Sequence, residues 1–213
     1  MIVASTDADG FVELAQRRLR QSPPGSLDRG SDPNGDHSLD GLMPKLDVMP
    51  RPAAVLVPVV MRADEATILL TQRTPHLREH SGQIAFPGGK IDASDPTPLA
   101  TALREAEEEI GLDPSLVRPI GYLDGYLSGT GFFITPIVGL VTPPFSLSLN
   151  EHEVAEAFEV PLSFLMDPAR HELHSREWRG RMRRYYAIPF GDRYIWGVTA
   201  GIIRNLYERL YGS

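Results

Sequence analysis

Apolar residues near the start of the long central part of the chain fall into short unbroken runs that are typical of buried strands. Residues 53–61 (AAVLVPVVM) form one such run and predict a strand. After the turn ADEA, residues 67–73 (TILLTQR) predict a second strand, so the two together predict a hairpin. Residues 83–90 (QIAFPGGK) predict a short strand that ends in glycines.

Helical spacing of apolar residues follows this strand. Residues 99–110 (LATALREAEEEI) predict a helix that ends at Gly111. The remaining elements are predicted over residues 118–128 and 132–141 (strands around the turn GTG), 150–165 (a polar loop that becomes a short helix or strand), 171–190 (a hairpin that turns near Gly180) and 196–211 (a helix). Because helices and strands are interleaved while several strand pairs are hairpins, the predicted fold class is α/β with a mixed sheet.

The first fifty residues have a different pattern. Residues 10–21 predict a short amphipathic helix, and residues 22–41 are rich in Pro, Gly, Ser and Asp, which is typical of a linker or mobile segment. We therefore predict two parts, namely residues 1–50 with the helix and a flexible linker, and residues 51–213 as the folded domain. Phe132, Phe133, Trp196 and the apolar stripe of the last helix are predicted to form core.

Composition narrows the classes of function. The 213 residues are 42% hydrophobic and 23% charged, which is typical of one globular core. A net charge of −7 argues against a general nucleic-acid binder but allows a small anionic substrate. The absence of cysteine excludes disulfides, thiol catalysis and zinc–thiolate sites. With no signal-like N-terminus and no spanning apolar run, we expect a soluble cytoplasmic protein, monomeric or homodimeric, without membrane contact.

Four carboxylates crowd the end of the predicted helix, in the stretch REAEEEIGL over residues 104–112. At about 100° per residue, Glu105 and Glu109 point about 40° apart, and Glu108 lies about 60° to the other side of Glu105. These three share a face, whereas Glu107 points roughly opposite and is expected to be solvated.

This shared acidic face has two interpretations. Like charges at i and i+4 destabilise a helix by about 0.2–0.5 kcal/mol per pair, and anions near a helix C-terminus oppose its dipole by roughly 0.3–1 kcal/mol each. A divalent cation would remove that penalty, and the alternative is a solvated acidic surface that tolerates it. The nearby Gly88 and Gly89 allow a close backbone approach, which favours the cation site.

The whole stretch resembles the Nudix box. Residues 104–112 match the second half of that motif completely. In the first half, with one extra residue, Gly89 aligns with the leading glycine and Asp95 with the acid that normally pairs with Arg104. The resemblance gives Asp95, Arg104 and Gly111 structural roles.

A second motif precedes the box. The segment LLTQRTPHLREHSGQIAFPGG resembles the signature of the coenzyme A pyrophosphatase subgroup, and the residues that fit it are Leu69, Leu70, Thr71, Arg73, Thr74, Arg78, Gly82, Phe86, Pro87, Gly88 and Gly89. This subgroup is also similar to the chain in having the one-residue insertion and Asp in the box.

Together the two resemblances imply a fold and an activity. They imply the Nudix fold, a mixed sheet sandwiched between helices with a loop–helix–loop catalytic motif. They imply hydrolysis of coenzyme A or its derivatives to 3′-phosphoadenosine 5′-phosphate and 4′-phosphopantetheine with Mg²⁺ or Mn²⁺. The implied metal ligands, which are also the catalytic carboxylates, are Glu105, Glu108 and Glu109, joined by the carbonyl of Gly89.

Other candidate residues lie outside the acidic helix. Glu153, in the loop NEHEVAEAFEV, matches a common Nudix element and is a candidate general base or extra metal ligand; the alternative is an ordinary surface acid. Arg73, Arg78, His80 and Gly88 are candidate substrate contacts, because arginine suits phosphate and glycine allows close approach. The alternative for the charged residues is surface charge.

A basic cluster, REWRGRMRR over residues 176–184, surrounds the predicted turn of the last hairpin. It is a candidate grip for the 3′-phosphate of coenzyme A, with membrane or RNA contact as a further possibility and a solvated hairpin as the favoured alternative.

Three other functions compete with the coenzyme A diphosphatase. One is a Nudix hydrolase for ADP-ribose or a dinucleotide such as NADH, which would not need the upstream signature. Another is a non-catalytic nucleotide-binding sensor, which predicts lost carboxylates. The last is a decapping enzyme, which the acidic net charge disfavours.

Overall fold

A computed structural model describes residues 8–25, 33–41, 48–76, 81–178 and 180–212. Arg78, His80 and Arg179 therefore lie outside the described residues. The helices are α1 (Ala8–Arg18), α2 (Asp36–Leu39), α3 (Pro98–Ile110), α4 (Leu162–Leu165) and α5 (Val198–Tyr211). The strands are β1 (Arg51–Val60), β2 (Thr67–Arg73), β3 (Ile84–Ala85), β4 (Gly88–Lys90), β5 (Val117–Tyr122), β6 (Tyr126–Leu127), β7 (Phe132–Val141), β8 (Val154–Pro161), β9 (Glu172–Trp178), β10 (Arg181–Phe190) and β11 (Arg193–Trp196).

Eight of these strands form one mixed sheet. Its main path runs β3-β2-β1-β7-β5, while β4 pairs with β1, β6 with β7 and β8 with β2. Only β1 and β7 pair in parallel among the described strands, and β1 with β2 forms the predicted hairpin. The predicted mixed sheet is confirmed, because one buried parallel pair lies among antiparallel neighbours.

Helices cover both faces of this sheet. On one face, α3 buries Ala102, Ala106 and Ile110 against apolar side chains of β1 and β2. On the other face, the predicted stripe of α5 is buried, with Ile202, Ile203, Leu206 and Leu210 all at most 1% exposed. The sheet is thus the shared wall of two apolar layers, as the sandwich prediction requires.

Local signals define both ends of α3. The Thr97 hydroxyl accepts a hydrogen bond from the backbone N–H of Ala100 at 3.1 Å, and Pro98 occupies the first turn, where its missing N–H costs nothing. Gly111 ends the helix in the left-handed conformation at φ 66°. A Cβ there would approach within 3.0 Å of Ser148, so the helix end also packs tightly.

A second sheet of three strands, β9, β10 and β11, contains the predicted hairpin. Arg181 faces Trp178 across the turn at residues 179–180, which agrees with the predicted turn near Gly180. Of the predicted core residues, Phe132, Phe133 and Trp196 are only partly buried, and Phe132 packs against the main core. Phe132 and Trp196 also line an open groove. The apolar stretches around these residues did not reveal that their rings lie at the edge of the core.

The N-terminal part contains a second helix in addition to the predicted one. Helix α1 ends at Arg18, three residues before the predicted end, and buries Phe11 and Ala15 in the same core as α5. Residues 33–41, predicted as linker, contain α2, and Asn34 pairs with the chain near β6. The division of the chain at residue 51 remains a prediction. None of the described helices is both long and apolar enough to cross a bilayer.

Candidate active site

The C-terminal half of α3 presents its carboxylates to different environments. The side chain of Glu109 is 6% exposed and that of Glu105 is 19% exposed, whereas that of Glu108 is 60% exposed. Glu107 is exposed, as the helical spacing predicts. The buried face therefore holds two of the three predicted ligands, and Glu108 lies at its rim.

Two glycines of β4 lie directly against these buried carboxylates. The Gly88 N–H donates a hydrogen bond to Glu109 Oε2 at 3.2 Å. A Cβ on Gly89 would lie 2.5 Å from the Glu105 carboxylate, so only a glycine fits without displacing it. Gly88 was predicted to contact substrate; it lines the groove, but its amide is directed at Glu109. The strand ending in glycines thus brings backbone polar groups to the acids.

Burial makes this site receptive to positive charge. Desolvation, helped by the charges of Glu105 and Glu153, raises the pKa of Glu109 to about 7, although the Gly88 hydrogen bond and Arg73 act to lower it. Desolvation also raises the pKa of Glu105, while Arg104 opposes the rise. Two neighbouring carboxylates with raised pKa values are the electrostatic signature of a site that gains from a cation.

Arg104 ties the start of the box to the helix. Its Nη2 and Nε donate to the two oxygens of Asp95 at 3.0 and 3.2 Å. Asp95 also accepts from the Thr101 hydroxyl at 2.9 Å, and the guanidinium of Arg104 holds the pKa of Asp95 well below its usual range. The same guanidinium lies 3.0 Å from Glu105 and 3.1 Å from Glu108. The structure thus brings the predicted pair together despite the extra residue in the loop.

Arg73 and Glu153 flank the buried carboxylates. Arg73 Nη1 lies 3.9 Å from Glu109 Oε1, and its buried Nε has no hydrogen-bond partner among the described residues. Glu153 is held by its backbone, whose carbonyl accepts from the Thr74 N–H at 3.0 Å, and by Asn150 Nδ2 at 3.3 Å. The charge of Glu153 acts on Glu109, because it is among the causes that raise the pKa of that carboxyl.

The oxygen atoms at this site fit an ion that also binds water and substrate phosphates. Across the described part of the chain, no three His, Asp or Glu side chains form a ready-made metal cage. Glu108, like Glu105, lies in ion-pair contact with Arg104, but it is the more exposed of the two. Mg²⁺ typically takes one or two carboxylates plus waters and substrate phosphates. Glu105 and Glu109, with the backbone of Gly89 beside them, match that requirement.

A groove of about 890 Å³ opens beside these residues. Arg73, Gly88 and Gly89 line it from the box side, and Phe86, Phe132 and Ile134 are among its apolar lining. Its other wall comes from the second sheet and includes Arg176, Arg183, Arg184, Tyr185 and Trp196. Asp36 and His37 of α2 also line it, although they lie in the segment predicted as linker. No local sequence signal marks them, because their placement depends on contacts with residues about ninety positions away.

A profile described as "NUDIX domain" matches residues 50–181, more than half of the chain. The chain belongs to the Nudix family. An "Uncharacterized Nudix hydrolase NudL" from Citrobacter koseri is 46% identical over 156 residues, covering 73% of this chain and 81% of that protein. The protein of the same name from Escherichia coli K12 is 44% identical with the same coverage.

The similarity to solved Nudix structures is more distant. A Caenorhabditis elegans Ap4A hydrolase in a binary complex is 20% identical with a TM-score of 0.46, over 52% of this chain and 80% of that one. The Nudix domain of Shewanella oneidensis NrtR in complex with ADP ribose is 20% identical with a TM-score of 0.43, over 60% and 82%. Nudix hydrolases act on pyrophosphate bonds and generally use divalent ions such as Mg²⁺ or Mn²⁺. By its family match and its relatives, the chain is a Nudix hydrolase.

Proposed function

We propose that this Nudix hydrolase cleaves the diphosphate linkage of coenzyme A or its derivatives, giving 3′-phosphoadenosine 5′-phosphate and 4′-phosphopantetheine. The observation that carries the proposal is the pair Glu105 and Glu109, partly buried and set against the Gly88–Gly89 backbone beside the groove. This arrangement suits a cation-assisted attack on a diphosphate, which repels nucleophiles through its own charge.

Each residue has a proposed role in that reaction. Glu105 and Glu109 would hold Mg²⁺ or Mn²⁺ with the Gly89 carbonyl, and the more exposed Glu108 would join them from the rim. Such an ion supplies charge neutralisation and lowers the pKa of bound water. Arg73, with an unpaired Nε, is placed to donate to a phosphate oxygen. Glu153 is the candidate base that accepts the proton of the attacking water, because it lies close enough to raise the pKa of both acids.

The upstream motif supports coenzyme A as the substrate. Its described residues run along β2 and then from Gly82 to β4, and four of them, Arg73, Phe86, Gly88 and Gly89, line the groove. Thr71 and Thr74 are buried, and the hydroxyl of Thr71 donates to the carbonyl of Ala85 at 3.2 Å. These contacts of the motif hold the strand that carries Arg73. The resemblance to the coenzyme A subgroup therefore involves residues that position a candidate substrate contact.

ADP-ribose and dinucleotides such as NADH remain the second candidates, because they contain the same diphosphate joined to adenosine. The non-catalytic sensor is disfavoured because the buried carboxylates are retained. Cytoplasmic location and a monomeric or dimeric state remain predictions.

The proposal is tested by incubating the protein with Mg²⁺ and, separately, coenzyme A, ADP-ribose and NADH, and identifying the products by mass spectrometry. We expect coenzyme A to have the highest kcat/KM and to yield 3′-phosphoadenosine 5′-phosphate. If ADP-ribose or NADH is cleaved and coenzyme A is not, the substrate proposal is wrong while the Nudix chemistry stands.

A further inference from the structure

One turn of the chain connects the helix that carries the buried acids with the candidate base. Asn150 lies at the start of this turn, residues 150–153, which leads into β8. Its backbone N–H donates to the carbonyl of Glu109 at 2.9 Å. Its own carbonyl accepts from the N–H groups of Glu153 and Val154, both at 2.9 Å. Asn150 therefore contacts the C-terminal end of α3 on one side and the backbone of Glu153 on the other.

The end of β2 holds the same turn from another side. The Thr74 N–H donates to the carbonyl of Glu153 at 3.0 Å, and the Thr74 hydroxyl donates to the carbonyl of His152 at 3.3 Å. Because Thr74 directly follows Arg73, the backbone of Glu153 lies between the strand that carries this arginine and the end of α3. Backbone contacts thus set the place of Glu153, and only its side chain is left to be oriented.

The side chain of Asn150 supplies that orientation. Its Nδ2 donates to Glu153 Oε1 at 3.3 Å, and its Oδ1 accepts from the His152 N–H at 3.2 Å. Because a backbone N–H can only donate, the contact with His152 determines which end of the amide faces Glu153, and that end is the NH₂ group. Among the described residues, no other side chain donates a hydrogen bond to the Glu153 carboxylate.

Repulsion between carboxylates gives this contact a purpose. The charge of Glu153 is among the causes that raise the pKa of Glu105 and of Glu109, so the three side chains repel one another. A glutamate side chain has a large rotamer entropy, and Glu153 is only partly buried, so both effects favour its rotation toward solvent. A hydrogen bond to an ionised group is among the stronger contacts in proteins and opposes that rotation.

We propose that Asn150 is a positioning residue for the reaction, and that its amide directs the Glu153 carboxylate toward the water that attacks the diphosphate. The inference rests on the proposed function, in which Glu153 accepts the proton of that water. Asn150 acts through Glu153, and its backbone also ties this base to the helix of the metal-binding acids. Removal of a residue that orients an active-site carboxylate typically lowers activity by about 10–100-fold.

Two substitutions separate positioning from a role in the turn alone. Asn150→Asp keeps an oxygen for the His152 N–H and replaces the donor to Glu153 by a second oxygen, whereas Asn150→Ala removes both contacts. We expect Asn150→Asp to lower kcat for coenzyme A with Mg²⁺ by about 10–100-fold, with KM changed less than about twofold. Its unfolding temperature should lie nearer that of the wild type than that of Asn150→Ala does. Because Asp and Asn both support such turns, a purely structural role predicts wild-type kcat for Asn150→Asp.

A double-mutant cycle shows whether Asn150 acts through Glu153. Glu153→Gln should lower kcat on its own, and the addition of Asn150→Asp should then change kcat by less than about twofold. Glu151→Gln is the matched control, because Glu151 lies in the same turn and is exposed, and it should keep the wild-type kcat. Losses that multiply in the double variant would overturn the inference, as would wild-type kcat in Asn150→Asp.

The products and the cycle together separate this inference from the proposed function. If coenzyme A is cleaved and Glu153→Gln is impaired while Asn150→Asp keeps the wild-type kcat, the positioning role is wrong and the function stands. If the wild type cleaves ADP-ribose and not coenzyme A, the substrate proposal is wrong, and the same cycle on ADP-ribose decides the positioning role. Full kcat in Glu153→Gln would overturn both the base and its positioning, while coenzyme A as the substrate would stand.

Discussion

The Glu109 carboxylate shows at the scale of one residue how function and stability oppose each other here. It is almost completely buried. It accepts a hydrogen bond from the Gly88 N–H, and the Arg73 guanidinium lies 3.9 Å away. Because burial raises its pKa to about 7 from an ordinary value of 4.5, the folded protein disfavours the ionised form. A bound cation would reverse this preference.

Glu109→Gln is therefore expected to stabilise the metal-free protein at alkaline pH. A carboxyl whose folded pKa is raised binds its proton more tightly when folded, so wild-type stability falls as the pH rises from about 4.5 to about 7. At pH 8 the variant should gain on the order of 1–3 kcal/mol, and at pH 4 the difference should vanish. Thermal unfolding in a chelator at both pH values measures this, with the exposed Glu107→Gln as control. A variant less stable than wild type at pH 8 would refute the buried-charge account.

Residue-scale prediction from the sequence succeeded where helical geometry alone decides the outcome. The 100° spacing correctly predicted that Glu107 is exposed while Glu105 and Glu109 face inward. It placed Glu108 with them, but it could not show that Arg104, one turn earlier, pairs with Glu108 at the rim. Spacing gives the direction of a side chain and not its partner.

At the scale of the element, α3 and the loop before it behave as one clamp. The guanidinium of Arg104 spans from Asp95 in the loop to Glu105 and Glu108 in the helix. Asp95 is 7% exposed and also accepts hydrogen bonds from the Thr101 hydroxyl and the Asp92 N–H. Loop position and carboxylate position are thereby coupled.

We expect Asp95→Asn to lower both the unfolding temperature and the activity, because Arg104 loses the buried carboxylate that ties it to the loop. Asp92→Asn is the control, since Asp92 is 67% exposed and 3.8 Å from the same guanidinium. The pKa of Asp95 is depressed, so its contribution is fully present above its ordinary value of 3.8 and is lost as the pH falls through the folded value. The deficit of the Asp95 variant should therefore be full at pH 7 and shrink only under strong acid. Equal unfolding temperatures for the two variants at pH 7 would contradict the clamp.

Elements with a strong local signal were predictable, and those that depend on distant contacts were not. Thr97, Pro98 and Gly111 mark the ends of α3 in the sequence itself. The segment over residues 150–165 was ambiguous, because β8 becomes a strand through pairing with β2 and is followed at once by the short helix α4. Residues 33–41 gave no helical pattern, and α2 packs where Tyr126 donates a hydrogen bond to Asp36.

At the scale of the whole molecule, the N-terminal helix shares the core of the catalytic fold. Phe11 is fully buried among residues of the sheet and α5, and the Arg18 side chain donates to the carbonyl of Gly212 at 2.9 Å. Arg209 donates in return to the carbonyl of Arg18 at 2.6 Å. The two ends of the described chain are therefore fastened to each other beside the core.

Phe11→Ala should destabilise the whole protein by about 3–5 kcal/mol, as expected for a large core aromatic. Denaturant unfolding would measure the change, with Val12→Ala, on the partly buried side of α1, as the milder control. A loss of the same size as that of Val12→Ala would show that α1 is not part of the cooperative unit.

The groove is the feature of the whole molecule that sequence reasoning could least foresee. Its walls come from β4, α2 and the β9–β10 hairpin, which are far apart along the chain. The motifs predicted the chemistry at one wall because Gly88, Gly89, Glu105 and Glu109 are close in sequence. The basic hairpin is far from the box in sequence, so no motif connected the two. Only the packing of the second sheet places Arg176 and Trp196 opposite the box.

Product formation from coenzyme A shows whether the α3 carboxylates act in its cleavage with a divalent ion. The measured quantity is the rate of 3′-phosphoadenosine 5′-phosphate formation from coenzyme A with Mg²⁺, for wild type, Glu107→Gln and Glu109→Gln. We expect similar rates for wild type and Glu107→Gln, and a loss of roughly 10²-fold or more for Glu109→Gln. Full activity in Glu109→Gln, or no such product from the wild type, would contradict this expectation.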